Sequence, residues 1–76
     1  MADFKRGERV IVSSTRKDPG GTGEITGIDT FEDDVGAITY KYRVLIPGSK
    51  EQEQAATDAG RPNRGFWYAR ARLTPA

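Results

Sequence analysis

The chemistry this chain could perform lies in one run near its end. Phe66, Trp67 and Tyr68 are consecutive, and Arg61, Arg64, Arg70 and Arg72 surround them with no acid between residues 61 and 76. An indole beside guanidinium groups suits two tasks. It can anchor a protein interface, where rigid aromatics and arginine dominate the energetics. It can also stack the bases of a single-stranded nucleic acid while arginines hold the phosphates. In an extended strand Phe66 and Tyr68 face one side and Trp67 the other. So short a chain cannot bury all three. Phe66 and Tyr68 are expected to divide core and rim, with Trp67 partly exposed. The competing expectation is that Trp67 merely caps the core, as large aromatics often do. Tyr40, Tyr42 and Phe31 would extend an exposed aromatic surface.

A second concentration of chemistry is acidic. Asp18, Glu24, Asp29, Glu32, Asp33 and Asp34 fall between residues 18 and 34 with no base among them. Pairs such as Asp33 with Asp34, or Glu32 with Asp34, have the donors a hard cation takes. The spacing is not that of a calcium-binding loop, and the glycine such a loop requires is missing from its place. A solvated acidic turn is the preferred reading. The chain contains no Cys and no His. That excludes zinc-thiolate sites, disulfides, a cysteine nucleophile and the commonest general base. Ser13, Ser14 and Ser49 have no histidine to activate them. Gly20, Gly21, Gly23 and Gly27 match neither the dinucleotide fingerprint nor the P-loop. The expectation is a non-enzymatic protein with no cofactor and no metal.

The elements that position these residues follow from pattern. A chain of 76 residues, 36% hydrophobic and 30% charged with nine Gly and four Pro, is a single domain rich in turns. Gly7–Ser13 is a strand with Val10 and Val12 on one face and Arg9, Ile11 and Ser13 on the other. Asp18-Pro19-Gly20-Gly21 is turn chemistry. Gly23–Ile28 is a second strand, and Gly27 inside it marks a bulge or sharp bend. Asp29–Ala37 is expected to be an acidic loop. Ile38–Ile46 is the longest strand signal, with Tyr40, Tyr42, Val44 and Ile46 alternating with Thr39, Lys41, Arg43 and Leu45. Gly65–Tyr68 and Arg72–Thr74 complete a set of five. The 47–64 segment is longer than an ordinary connection. Ser49 and Gln52 within it fit a capping box, residues 51–59 are mostly helix formers, and Gly60 suits a helix stop. A docked helix near Lys50–Ala59 and a mobile loop are both open readings.

The net charge of +1 hides segregation. Both ends are basic and the middle is acidic, so folding could oppose a basic patch to an acidic one. Nucleic-acid modules are usually more basic than an isoelectric point near 8.1. A protein partner is therefore the first expectation and nucleic acid the second. No apolar run is long enough to span a membrane. The opening Met1-Ala2-Asp3-Phe4-Lys5-Arg6 has no apolar stretch behind its bases, so no secretory signal is read there and a cytoplasmic location is expected.

Arg6-Gly7-Glu8-Arg9-Val10-Ile11-Val12 followed by Gly20-Gly21-Thr22-Gly23-Glu24-Ile25 resembles the opening of an SH3-like small barrel of the KOW kind. Tyr42–Ile46 and the ending Gly65-Phe66-Trp67-Tyr68-Ala69-Arg70-Ala71-Arg72-Leu73-Thr74-Pro75 are similar to the third strand and the aromatic strand, short turn and Leu-x-Pro finish of small bacterial and phage SH3-like proteins. The resemblance covers most of the chain except residues 29–37 and 47–64. It implies an all-β fold, a five-stranded SH3-like barrel with a long loop or short helix between the third and fourth strands. It also implies a groove between the first and second loops that receives an extended peptide. Arg16–Gly21 and Asp29–Asp34 would edge it, with Tyr40 or Trp67 at its floor, and the acidic loop would select a basic ligand. The expected function is an adaptor or regulator docking on a larger protein or multisubunit complex through Trp67, Tyr68, Tyr40, Arg64, Arg70, Asp33 and Asp34. The alternative is a KOW-like nucleic-acid binder using Arg61, Arg64, Trp67, Arg70 and Arg72.

Overall fold

A computed structural model describes residues 4–76. The residues Met1–Asp3, part of the stretch read for a secretory signal, lie outside it. Five antiparallel strands form one sheet: β1 Arg9–Val12, β2 Gly21–Glu32, β3 Ile38–Leu45, β4 Phe66–Ala69 and β5 Leu73–Pro75. Their order is β4-β3-β2-β1-β5. The first four make a meander, and β5 returns to the free side of β1, placing Val12 opposite Leu73. No ladder joins β4 to β5, so the sheet is open at that seam. A 3-10 turn at Arg70–Arg72 carries the chain across it.

Alternation decides which side of the sheet is apolar. Val10, Val12, Ile25, Tyr42, Val44, Tyr68 and Leu73 are buried on one side, and Phe4 packs beneath them. The Phe4 ring meets Tyr42 edge-on at 5.4 Å, a favoured aromatic geometry. Ile11 and Trp67 face outward. The break read at Gly27 is present. The β2–β3 register shifts between Ile25 and Gly27, leaving Thr26 as the extra residue. The bulge keeps Ile25 and Ile28 both on the core side of a bent strand. Gly65, at φ +95, lies so close to the Val44 carbonyl that a Cβ would overlap it. It lets the chain enter β4 hard against β3.

Two expectations change. Residues 29–37 are not all loop. β2 runs on to Glu32, with Asp29 opposite Lys41, Phe31 opposite Thr39 and Glu32 opposite Ile38. Thr30 and Phe31 favour extended backbone, and β3 supplies ladder partners the local sequence does not reveal. The turn itself is short. Asp33 Oδ1 accepts from the amides of Val35 (3.0 Å) and Ala37 (2.9 Å), an Asx turn that an acidic residue is suited to make.

The second concerns 47–64: the helix, one of the two open readings, is present as α1, Lys50–Ala59, and what changes is its capping box. Ser49 Oγ accepts from the Gln52 amide at 3.3 Å, and Gly60 ends the helix in the left-handed region at φ 66. Only half of the capping box forms. The Gln52 side chain turns inward instead of back to Ser49. Its Oε1 accepts from Ile46 N (2.9 Å), and its Nε2 donates to Val44 O (2.9 Å) and Tyr68 Oη (3.3 Å). The amide thus stands in for a strand neighbour where β3 runs past β4. Gln52 is the one helix residue fully buried, so a polar peg, not an apolar stripe, docks α1.

Candidate functional site: the tryptophan and arginine groove

Register places Trp67 of β4 directly opposite Arg43 of β3, and Arg43 opposite Gly27 of β2. Cross-strand partners share a face. All three lie on the side away from the core. Trp67 remains 45% exposed. The Arg43 guanidinium carbon sits 5.4 Å from the indole centroid, a cation–π contact. Its Nε donates to Thr26 Oγ1 (3.1 Å) and its Nη2 to Thr26 O (3.0 Å). Thr26 Oγ1 donates in turn to Arg64 O at 2.6 Å. The bulge therefore fixes both the arginine that braces Trp67 and the segment that leads into β4. A Cβ at Gly27 would approach the Arg43 guanidinium to 3.1–3.2 Å, so a larger residue here would make that side chain shift.

Beside Trp67 the edge of β4 and helix α1 enclose a groove of about 410 Å³. Ala55 and Ala59 form part of its helix wall, and Arg43, Arg61 and Arg64 bring positive charge to it. Arg61 and Arg64 are exposed. The site offers alanine methyls on the helix side, an indole wall and a cationic rim. Such a surface takes a segment with a small apolar or aromatic side chain flanked by anionic groups.

The other residues named from sequence divide sharply. Tyr68 is only 4% exposed and belongs to the core. Its phenol is held above the ordinary value of 10.0, chiefly because burial disfavours the phenolate. The nearby Asp18 adds to the rise, while the Gln52 hydrogen bond and the Arg72 charge oppose it. Tyr40 is half-buried on the core side, its ring centroid 6.4 Å from that of Tyr42. Arg70 places its guanidinium 4.5 Å from the Phe4 centroid and donates to Leu73 O at 2.9 Å. Arg72 lies 4.9 Å from the Tyr68 centroid, donates to Ser13 O at 2.6 Å and pairs with Asp18 at 3.2 Å. Arg70 and Arg72 thus hold the fold, whereas Arg61 and Arg64 face the groove. Asp33 and Asp34 lie at the β2–β3 turn, at the opposite end of β3 from Arg43. They do not line the groove beside Trp67. Arg43 and Gln52 were not among the residues expected at the site. The alternation does place Arg43 on the outer face, but its pairing with Trp67 is a long-range register.

Among the described residues no group of three or more acidic side chains is disposed to hold a metal ion. Also among them, no helix is long and apolar enough to cross a membrane. Compared with known families, curated proteins and solved structures, the chain has no match.

Proposed function

We propose that this chain is a non-enzymatic SH3-like docking module, an adaptor or regulator of the cytoplasm, that binds a larger protein through Trp67 and the arginine groove. The observation that carries the reading is Trp67 itself, a half-exposed indole braced from below by Arg43 and set beside Arg61 and Arg64. An aromatic pre-positioned before binding loses little freedom on docking, which is what an interface anchor requires. The order of aromatic strand, short turn and Leu-Thr-Pro strand supports the SH3-like description. The groove's cationic rim selects an acidic segment of the partner.

Nucleic acid is the weaker reading. Arg70 and Arg72, two of the arginines it needs, are engaged with Leu73, Ser13 and Asp18. One face of the Trp67 ring is also turned to Arg43. The test is capture of partners from host extract by wild type, Trp67→Ala and Arg61→Glu/Arg64→Glu, each first shown folded by circular dichroism. The reading expects a protein retained by wild type and lost by both variants. A folded Trp67→Ala that retains every partner overturns it. Binding to mixed single-stranded DNA or RNA that weakens steeply with salt would favour the alternative.

A further inference from the structure

The outer face of β2, β3 and β4 has opposite character at its two ends. At one end lie Trp67 and Arg43, with Arg61 and Arg64 beside them in the groove. One ladder step further, Lys41 stands opposite both Asp29 and Ala69. At the far end Phe31 stands opposite Thr39, with Asp33 and Asp34 at the turn beyond. Phe31 is 45% exposed, like Trp67, and Lys41 Nζ lies 5.0 Å from its ring centroid. Val35 on the turn is 86% exposed. The face therefore runs from indole and arginines to phenyl and carboxylates over four residues of β3, about 13 Å at the rise of a strand.

A patch with such ends is complementary to itself when turned through 180°. The basic indole end of one copy then meets the acidic phenyl end of the other, and the same contact forms a second time. That is an isologous interface, which closes as a dimer and does not propagate. Two further observations favour it. The β1 ladder stops at Glu24 and the β4 ladder at Lys41, so the distal hairpin is a bare two-stranded ribbon. Such ribbons are marginal in water without a covering layer. The net charge of +1 sets up no overall repulsion between copies.

We propose that two copies of this chain pack outer face to outer face about a two-fold axis. Trp67, Arg61 and Arg64 of each lie over Phe31, Asp29 and Asp34 of the other. This does not depend on the docking reading, and because both use Trp67, Arg61 and Arg64, a second copy and a larger partner would exclude each other from the same surface.

The test is sedimentation of the purified chain at low salt, from micromolar to millimolar, with the emission of its single tryptophan followed in parallel. Dimer formation and a blue shift of Trp67 are expected to rise together with concentration. Arg61→Glu/Arg64→Glu places acid over acid, and Asp29→Lys/Asp34→Lys places base over base. Each alone is expected to weaken the dimer by at least about tenfold. Mixed in equal amounts, the two restore both contacts and re-form a dimer. Circular dichroism of each variant confirms the fold. Wild type that stays monomeric throughout, or charge-reversed variants that dimerise as well alone as mixed, overturns the proposal. A monomeric wild type whose cellular partner is still lost on Trp67→Ala would leave the docking reading in place. A dimer whose Trp67→Ala variant retains every partner would do the reverse.

Discussion

Arg43 lies between Trp67 and Thr26. Its guanidinium approaches the indole at 5.4 Å, and its Nη2 and Nε donate to the carbonyl and hydroxyl of Thr26. The extra residue in β2 is therefore what sets the indole's support. The bulge that bends the sheet and the residue proposed to bind a partner are joined by one side chain.

Replacing Arg43 by Ala removes two hydrogen bonds from a charged donor and a cation–π contact. The expected loss is about 2–3 kcal/mol in urea unfolding. Arg43→Lys keeps the charge but not the planar fork, and should fall between. Native Trp67 emission should shift to the red in Arg43→Ala as the ring gains water. An unchanged native spectrum would mean that Arg43 does not brace the indole.

Gln52 satisfies the Ile46 amide just past the end of β3 and gives the Val44 carbonyl a donor beside the start of β4. Gln52→Ala leaves the Ile46 amide without its partner, takes a donor from the Val44 carbonyl and opens space, at an expected cost of about 2–4 kcal/mol. Gln52→Leu fills the space without pairing the groups. It should lose nearly as much, with the Ile46 amide exchanging faster in both variants. A Leu variant as stable as wild type would show that Gln52 only fills volume.

The Tyr68 phenol makes stability depend on alkaline pH. Burial, its largest influence, raises its folded-state pKa above the 10.0 of an unperturbed tyrosine. The folded chain thus holds the proton more tightly than the unfolded chain. This contribution is fully present below pH 10 and is lost as pH rises through the folded-state value. Urea midpoints should fall above pH 10 in wild type and fall less steeply in Tyr68→Phe, compared from neutral pH upward. Equal slopes for the two proteins would remove Tyr68 from the alkaline transition.

The strands were legible wherever period-two alternation met a break. Val10 and Val12 face the core and Ile11 faces out, as the β-branched run implied. Gly27 marks the bulge, and Ser49 and Gly60 cap the helix. The length of β2 was not legible. Asp29 and Glu32 look like loop residues, and what holds them extended is β3, another segment of the chain. The division among the arginines was hidden for the same reason. Arg61, Arg64, Arg70 and Arg72 carry the same charge within a dozen residues. Only the return of β5 to β1 brings Arg72 to Ser13 and Asp18. Helix α1 gave a cap signal but no apolar stripe, because its anchor is an amide.

That division among the arginines separates stability from binding. Arg72 joins the end of the chain to Ser13 O and Asp18 and covers the Tyr68 ring, with its Nε buried and without a hydrogen-bond partner among the described residues. Arg72→Ala removes the charge together with those contacts, so no unpaired charge is left behind on Arg72 itself. The loss should still be about 1–3 kcal/mol, because Ser13 O loses its side-chain donor and the ring its cover. Arg64→Ala and Arg61→Ala remove exposed side chains at the groove and should stay within about 0.5 kcal/mol of wild type. Partner capture should follow the opposite order, weakened in the two groove variants and retained by whatever fraction of Arg72→Ala is folded. Thermal unfolding and capture measured on the same preparations decide the matter. Groove variants that unfold early while Arg72→Ala stays stable would reverse the assignment of these arginines.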